Sequence, residues 1–166
     1  MGTEPEIDAT DEAESYPPNR SVITYANWPQ AAAIGGLAGL ARPALAALGV
    51  GSPAGVLIAL PEFHLWWLIH VAYSIVFGAV FGVIVYHERL RSAAKAIPTG
   101  AVLGLGYGAV LWLVNVVIGW NVLLAGYAFT TAQQVDVFAV EPIVDHLLFG
   151  LLLGLGYALV VGRLLD

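Results

Sequence analysis

A run of 23 residues from His64 to Tyr86, HLWWLIHVAYSIVFGAVFGVIVY, contains no charged group beyond its two histidines. A hydrocarbon core roughly 30 Å thick needs about 20 helical residues to cross, and inside it every backbone amide must bond within its own segment. The run therefore reads as a transmembrane helix. Along it His70, Ser74, Gly78 and Gly82 recur at every fourth position and stack as one narrow ridge of small and polar groups. Leu65, Trp66, Phe77, Phe81 and Ile84 spread over the remaining circumference, where lipid or broad helix contact is expected. Similar ridges recur as Gly35 and Gly39, as Gly100, Gly104 and Gly108, and as His146, Gly150, Gly154, Ala158 and Gly162. Small residues at this spacing let helix backbones approach closely in lipid. The expectation is an all-α membrane protein of four transmembrane helices in a compact glycine-rich bundle, with approximate spans 28–50, 64–86, 99–119 and 142–164.

Composition narrows the function classes. Hydrophobic residues form 59% of the 166, and charged residues 11%, about half the share usual in a soluble domain. Four spans leave no room for a separate soluble catalytic domain, and neither a phosphate-binding Gly-rich loop ending in Lys-Ser/Thr nor a GxGxxG after a strand is present. Cysteine is absent, which removes disulfides, thiolate zinc sites and thiol catalysis. Ser74 and His70 share a face but lack a third orienting group, so no nucleophile-base-orienter set is visible. The chain is read as non-enzymatic.

Charge is distributed unevenly. Six of the 12 acidic residues, Glu4, Glu6, Asp8, Asp11, Glu12 and Glu14, precede any basic residue. Residues 1–26 are polar and carry Pro17-Pro18, so an acidic, disordered tail is expected ahead of a membrane domain over 27–166. The acidic sign disfavours nucleic acid. The first span opens at Asn27-Trp28-Pro29, with Asn as cap, Pro in the first turn and Trp at the interface. Within it, Arg42-Pro43 is anomalous: Arg42 either pairs for structural reasons or faces a polar cavity. Gly51-Ser52-Pro53 leads to a second span opened by Pro61-Glu62, and His87 to Lys95 reads as a basic loop closed by Pro98. Asn115, late in the third span, is expected to bond to a neighbouring helix. Thr130, Thr131, Gln133 and Gln134 have capping-box spacing, consistent with a short interfacial helix between 122 and 140. The fourth span opens at Glu141-Pro142 as the second does at Pro61-Glu62. Aligning His70 with His146 also superposes Gly78 on Gly154, which points to a two-plus-two internal repeat.

With four spans, the N-terminus, the loop after the second span and the C-terminus share one side of the membrane. Arg20, Arg89, Arg91, Lys95 and Arg163, five of the six basic residues, fall there, so that side is expected to be cytoplasmic in the cell membrane. Glu62, His70, Glu141, Asp145 and His146 then lie toward the outer surface. Arg42, twelve residues beyond Gln30 and so about 18 Å along its helix, reaches the same region. These six residues form the candidate site, since ionisable groups within a membrane are functional candidates by default. Asp145 and Glu141 are the leading counterions for Arg42, with Glu62 next.

The layout from Gly35 to Arg163, with a glycine ridge in every helix and HLLFGLLLG starting the last, resembles small four-helix membrane proteins of unknown function common in haloarchaea. A single lysine, Lys95, and the acidic balance fit a salt-rich cytoplasm and so an archaeal, halophilic source. The functions that remain are small-solute or ion transport, with a pore more naturally formed between subunits of a homo-oligomer, and an accessory role beside a partner in a membrane complex. An alternative uses His70 and His146 as ligands for haem or a transition metal, with no metal in the leading reading.

Overall fold

The computed structural model describes residues 27–47, 61–124 and 140–164. The expected acidic tail, the Gly51-Ser52-Pro53 connection and the capping boxes at Thr130 and Thr131 lie outside them. Among the described residues the chain is entirely helical. The elements are α1 (Trp28–Gly39), α2 (Ala41–Ala47), α3 (Pro61–Val85), α4 (Glu88–Lys95), α5 (Ile97–Trp112) and α6 (Val140–Leu159). Wider, π-helical turns extend α5 over Leu113–Leu124 and α6 over Val160–Leu164. Three helical segments are long and apolar enough to cross a membrane: Trp67–Val85, Ile97–Gly119 and Pro142–Leu164. Their outward faces carry apolar side chains such as Leu68, Val76, Val102, Val110 and Leu159, as a lipid environment requires. The protein is therefore membrane-embedded.

The first expected span is not one continuous helix. The winding tightens at Leu40, whose N–H is shared between the carbonyls of Gly36 (3.2 Å) and Leu37 (3.1 Å). Pro43 accounts for the break: it donates no N–H, and its ring crowds the carbonyl four residues back, that of Gly39. Ala44 N–H reaches Leu40 O at 3.0 Å, so the chain rewinds at once into α2 and carries Arg42 with it. At the other end Asn27 supplies no side-chain cap; its carbonyl accepts from Ala31 N–H at 3.0 Å. The expected basic loop is also helical. His87 caps α4 by accepting the Arg89 N–H at Nδ1 (3.3 Å), and Thr99 Oγ1 donates to Ala93 O across the junction with α5.

Two antiparallel helix pairs make up the bundle. In the first, α1 lies on α3: a Cβ at Gly35 would stand 2.5 Å from Ser74 O, one at Gly39 2.5 Å from Ser74 Cβ, and one at Gly82 2.9 Å from Trp28 Cα. In the second, α5 lies on α6: a Cβ at Gly104 would stand 2.9 Å from Gly154 Cα, one at Gly150 2.8 Å from Gly108 Cα, and one at Gly100 3.1 Å from Ala158 Cβ. At Gly35, Gly82, Gly104 and Gly150 the neighbour is backbone, which cannot give way, and at Gly39 and Gly100 it is the Cβ of a small side chain, so the seams need glycine. The pairs join chiefly where α1 meets α6, with Ile34 filling the space that a side chain at Gly156 would need.

The core between the pairs is aromatic. Phe81, 1% exposed, has Tyr107 at 5.2 Å and Tyr157 at 5.7 Å between ring centroids, with Ile34, Val85, Leu153 and Val161 around them. Of the two settings expected for Phe81, lipid or broad helix contact, it takes the helix contact. Tyr107 further donates its hydroxyl to Phe77 O at 2.8 Å, joining α5 to α3. The tyrosine satisfies its polar tip in the bundle while its ring fills the core.

Candidate functional site

Arg42 and Asp145, contributed by opposite helix pairs, meet across the bundle. Arg42 Nε lies 3.1 Å from Asp145 Oδ2, and the side chains are 22% and 34% exposed. Among the candidate carboxylates Asp145 thus serves as a counterion of Arg42. The break at Leu40 and the position of Asp145 in the second turn of α6 set this geometry. A partly buried guanidinium without a carboxylate nearby would be costly in hydrocarbon surroundings, and Arg stays charged at any working pH.

The pair borders a cavity of about 60 Å³, several times the space one water molecule occupies on this measure. Every main helix contributes to its wall: Gly39 and Arg42 from the first pair of elements, His70, Tyr73, Ser74 and Phe77 from α3, Leu111 and Asn115 from the third span, and Asp145, His146 and Phe149 from α6. Four of the six expected site residues, Arg42, His70, Asp145 and His146, therefore share one cavity. Glu62 and Glu141 fall within α3 and α6 by their backbone, and their side chains lie outside the described ones. His70 on α3 and His146 on α6 line the same cavity.

Each histidine is held differently. His146 Nδ1 is 2.7 Å from Pro142 O. A carbonyl only accepts, so Nδ1 carries the proton, and in the neutral ring Nε2 is left as an acceptor. Asn115 Nδ2 stands 3.5 Å from that Nε2, at the far limit of hydrogen bonding. His70 packs edge-on between Trp67 (5.1 Å between centroids) and Tyr73 (5.8 Å), while its carbonyl accepts the Ser74 hydroxyl at 2.8 Å. Among the described residues no three His, Cys, Asp or Glu side chains converge in a way that would hold a metal ion.

Asn115 belongs with the site although its sequence setting marked it only as an interhelical polar contact. It sits in the π-helical continuation of α5, a distortion often found at functional positions. Tyr73 was not a candidate either; its place on the cavity follows from the rotation of α3, which an apolar span does not reveal. The basic residues Arg89, Arg91 and Arg163 lie at the opposite end, where Lys95 O packs on Gly162 and Ala94 O on Gly100. Comparison with protein-family models, curated proteins and solved structures finds no match to this chain.

Proposed function

We propose that this is a non-enzymatic membrane protein that binds and moves a small polar solute or ion through the cavity between its two helix pairs. The observation that carries this reading is the convergence of Arg42, Asp145, His70, His146 and Asn115 on one space of about 60 Å³ in an otherwise apolar bundle. A polar, ionisable group within a span is expensive, and groups from four helices meeting at one cavity are a candidate solute path or proton relay. The volume suits a small ion or a few waters and is well below a cofactor-sized pocket of about 300–1,000 Å³.

In this reading Trp28–Ala47, despite its break, serves as a fourth span. Both termini and α4 face the cytoplasm across the cell membrane, following the basic residues, and the cavity opens toward the outer leaflet. The two helix pairs are taken as copies of one unit. Support comes from matching contacts: Gly35 approaches Ser74 O and Gly78 Cα as Gly104 approaches Gly150 O and Gly154 Cα, and Gly78 approaches Ala31 O as Gly154 approaches Gly100 O. Binding sites at the interface between repeats are common in transporters. The resemblance to small haloarchaeal membrane proteins, and with it a salt-rich setting, belongs to the same proposal.

The test is reconstitution into liposomes followed by flux of rubidium, chloride, glycerol and water. Uptake of at least one of them that is lost in Asn115→Leu, which fills the cavity, supports the reading; no protein-dependent flux of any would refute it. A second reading keeps His70 and His146 as metal ligands. His146 favours it, because a ring whose Nδ1–H is held by a carbonyl presents Nε2 as metal-binding histidines do. One bound metal per chain, lost in His146→Ala, would select that reading.

A further inference from the structure

Opposite charges collect at one end of the bundle. Helix α1 starts beside the last turns of α3: a Cβ at Gly82 would stand 2.9 Å from Trp28 Cα and 3.3 Å from Asn27 O. From Gly82 the chain runs on to α4, which begins at Glu88, at most about 20 Å away, the span of so short a stretch at full extension. The chain ahead of Asn27 and the whole of α4 therefore share one membrane face, whichever side of the membrane that is. Ala94 is buried and turns α4 toward the bundle. At 100° per residue, Glu88, Ser92 and Lys95 then lie along the outward face, with exposed Arg89 and Arg91 flanking it on either side. The Arg91 guanidinium carbon lies 5.1 Å from the centroid of the Tyr86 ring, a contact that steadies the side chain and leaves its charge intact. Among the described residues no carboxylate pairs with Arg89 or Arg91.

We propose that the acidic stretch Glu4–Glu14 docks on the outward face of α4, between Arg89 and Arg91, in a contact that ionic strength makes and breaks. The placement of the acids favours this occupant. Six of the 12, Glu4, Glu6, Asp8, Asp11, Glu12 and Glu14, form a run that no basic residue interrupts before Arg20. Glu62, Glu141 and Asp145 belong to the other end of their helices, and Asp136 to the connection between Leu124 and Val140. Outside the tail, Glu88 and Asp166 are then the side-chain carboxylates at the α4 end, where Arg89, Arg91, Lys95 and Arg163 gather, with Gly162 packed 3.0 Å from Lys95 Cα if it bore a Cβ. Pairing both acids still leaves two of these four cations. Glu14 is 13 positions from Asn27, a reach of about 20 Å for a flexible chain and about 45 Å at full extension, enough to cross from the start of α1 to α4. Tethering at this length gives an effective concentration on the order of millimolar, which places the tail ahead of a free acidic partner. Attraction between exposed charges fades as the Debye length falls from about 10 Å at 0.1 M salt to about 3 Å at 1 M. The tail thus covers α4 in dilute solution and leaves it in concentrated salt, so that the exposure of this face follows the ionic strength beside it.

The experiment uses the full chain in nanodiscs of uncharged phosphatidylcholine. The chain has no cysteine, so nitroxides on Ala9→Cys and on Ala96→Cys, an exposed position just past α4, report the separation of tail and helix by double electron–electron resonance. Excess unlabelled protein confines the signal to pairs within one chain. At about 0.02 M KCl the expected result is a narrow distribution near 20 Å, which broadens and moves outward by about 10 Å at 1 M. Arg89→Gln combined with Arg91→Gln gives the broad, long distribution at both salt concentrations. Replacing the six tail acids by their amides does the same, and these positions lie ahead of the bundle, so the loss does not come from a failure to fold. Arg20→Gln, which removes a positive charge away from α4, keeps the short distance. A long separation in dilute salt, or a short one indifferent to salt and to both sets of variants, overturns the proposal. A short distance between singly labelled chains mixed in equal amounts assigns the contact to a second copy and overturns docking within the chain. Loss of the short distance when about a third of the lipid is anionic phosphatidylglycerol shows headgroup phosphates holding the arginines, and overturns the tail as occupant in a charged bilayer.

Discussion

Replacing Gly104 by alanine tests the close-packed seam between α5 and α6. Its new Cβ would stand 2.9 Å from Gly154 Cα and closer still to Gly150 O. Carbon atoms prefer about 3.5–4.0 Å, so the helices must part by roughly 0.6–1 Å there. A gap of that size forfeits about a quarter to a half of each dispersion contact, each worth about 0.1–0.2 kcal/mol. Spread over some 30 atom pairs along the seam, the loss is about 1.5 kcal/mol, within the roughly 1–3 kcal/mol typical of overpacking. Gly106 is two residues away in the same helix, and a Cβ there meets nothing within 4 Å. Both changes are glycine to alanine in one helix, so their gain in helix propensity, up to about 1 kcal/mol, cancels in the comparison. The difference between Gly104→Ala and Gly106→Ala should therefore be about 1.5 kcal/mol, with the Gly106 variant at least as stable as the parent. Unfolding in mixed micelles with increasing dodecyl sulfate, followed by tryptophan fluorescence, measures it. Equal midpoints for the two variants would refute the seam.

The Arg42–Asp145 pair should behave as a coupled unit: Arg42→Ala and Asp145→Ala each destabilise the protein, and the double variant costs less than their sum by about 0.5–3 kcal/mol in the same unfolding assay. Tyr107→Phe removes the hydroxyl bonded to Phe77 O and should cost about 1 kcal/mol. Phe81→Ala, emptying the aromatic core, should cost about 2–3 kcal/mol, less than in a water-soluble core because the unfolded helices still lie in lipid. Single cysteines at Ser92 and Gln133, introduced into a chain with none of its own, report orientation. In intact cells an impermeant maleimide should label Gln133→Cys and spare Ser92→Cys; the reverse pattern would invert the topology.

The sequence by itself determined the helical, membrane-embedded class and which small residues line up on each helix. Both are local properties: a run such as His64–Tyr86 needs no partner to be apolar, and a fourfold spacing defines a face wherever the helix lies. It also marked Arg42, His70, Asp145 and His146, because charge within an apolar run stands out against its neighbours. Tertiary structure decided the rest. In a bilayer, lipid tails and helix interiors are equally apolar, so nothing in the composition of α3 could place Phe81 inside and Ile84 outside. The carboxylate that meets Arg42 depends on how the helix pairs join through Ile34 and Gly156, a contact between residues more than a hundred positions apart. The histidines reach one cavity because of how the helix pairs are rotated and set against each other, which no local pattern in α3 or α6 encodes. Tyr107 finds its acceptor in a backbone carbonyl, which every residue possesses and no sequence pattern can single out.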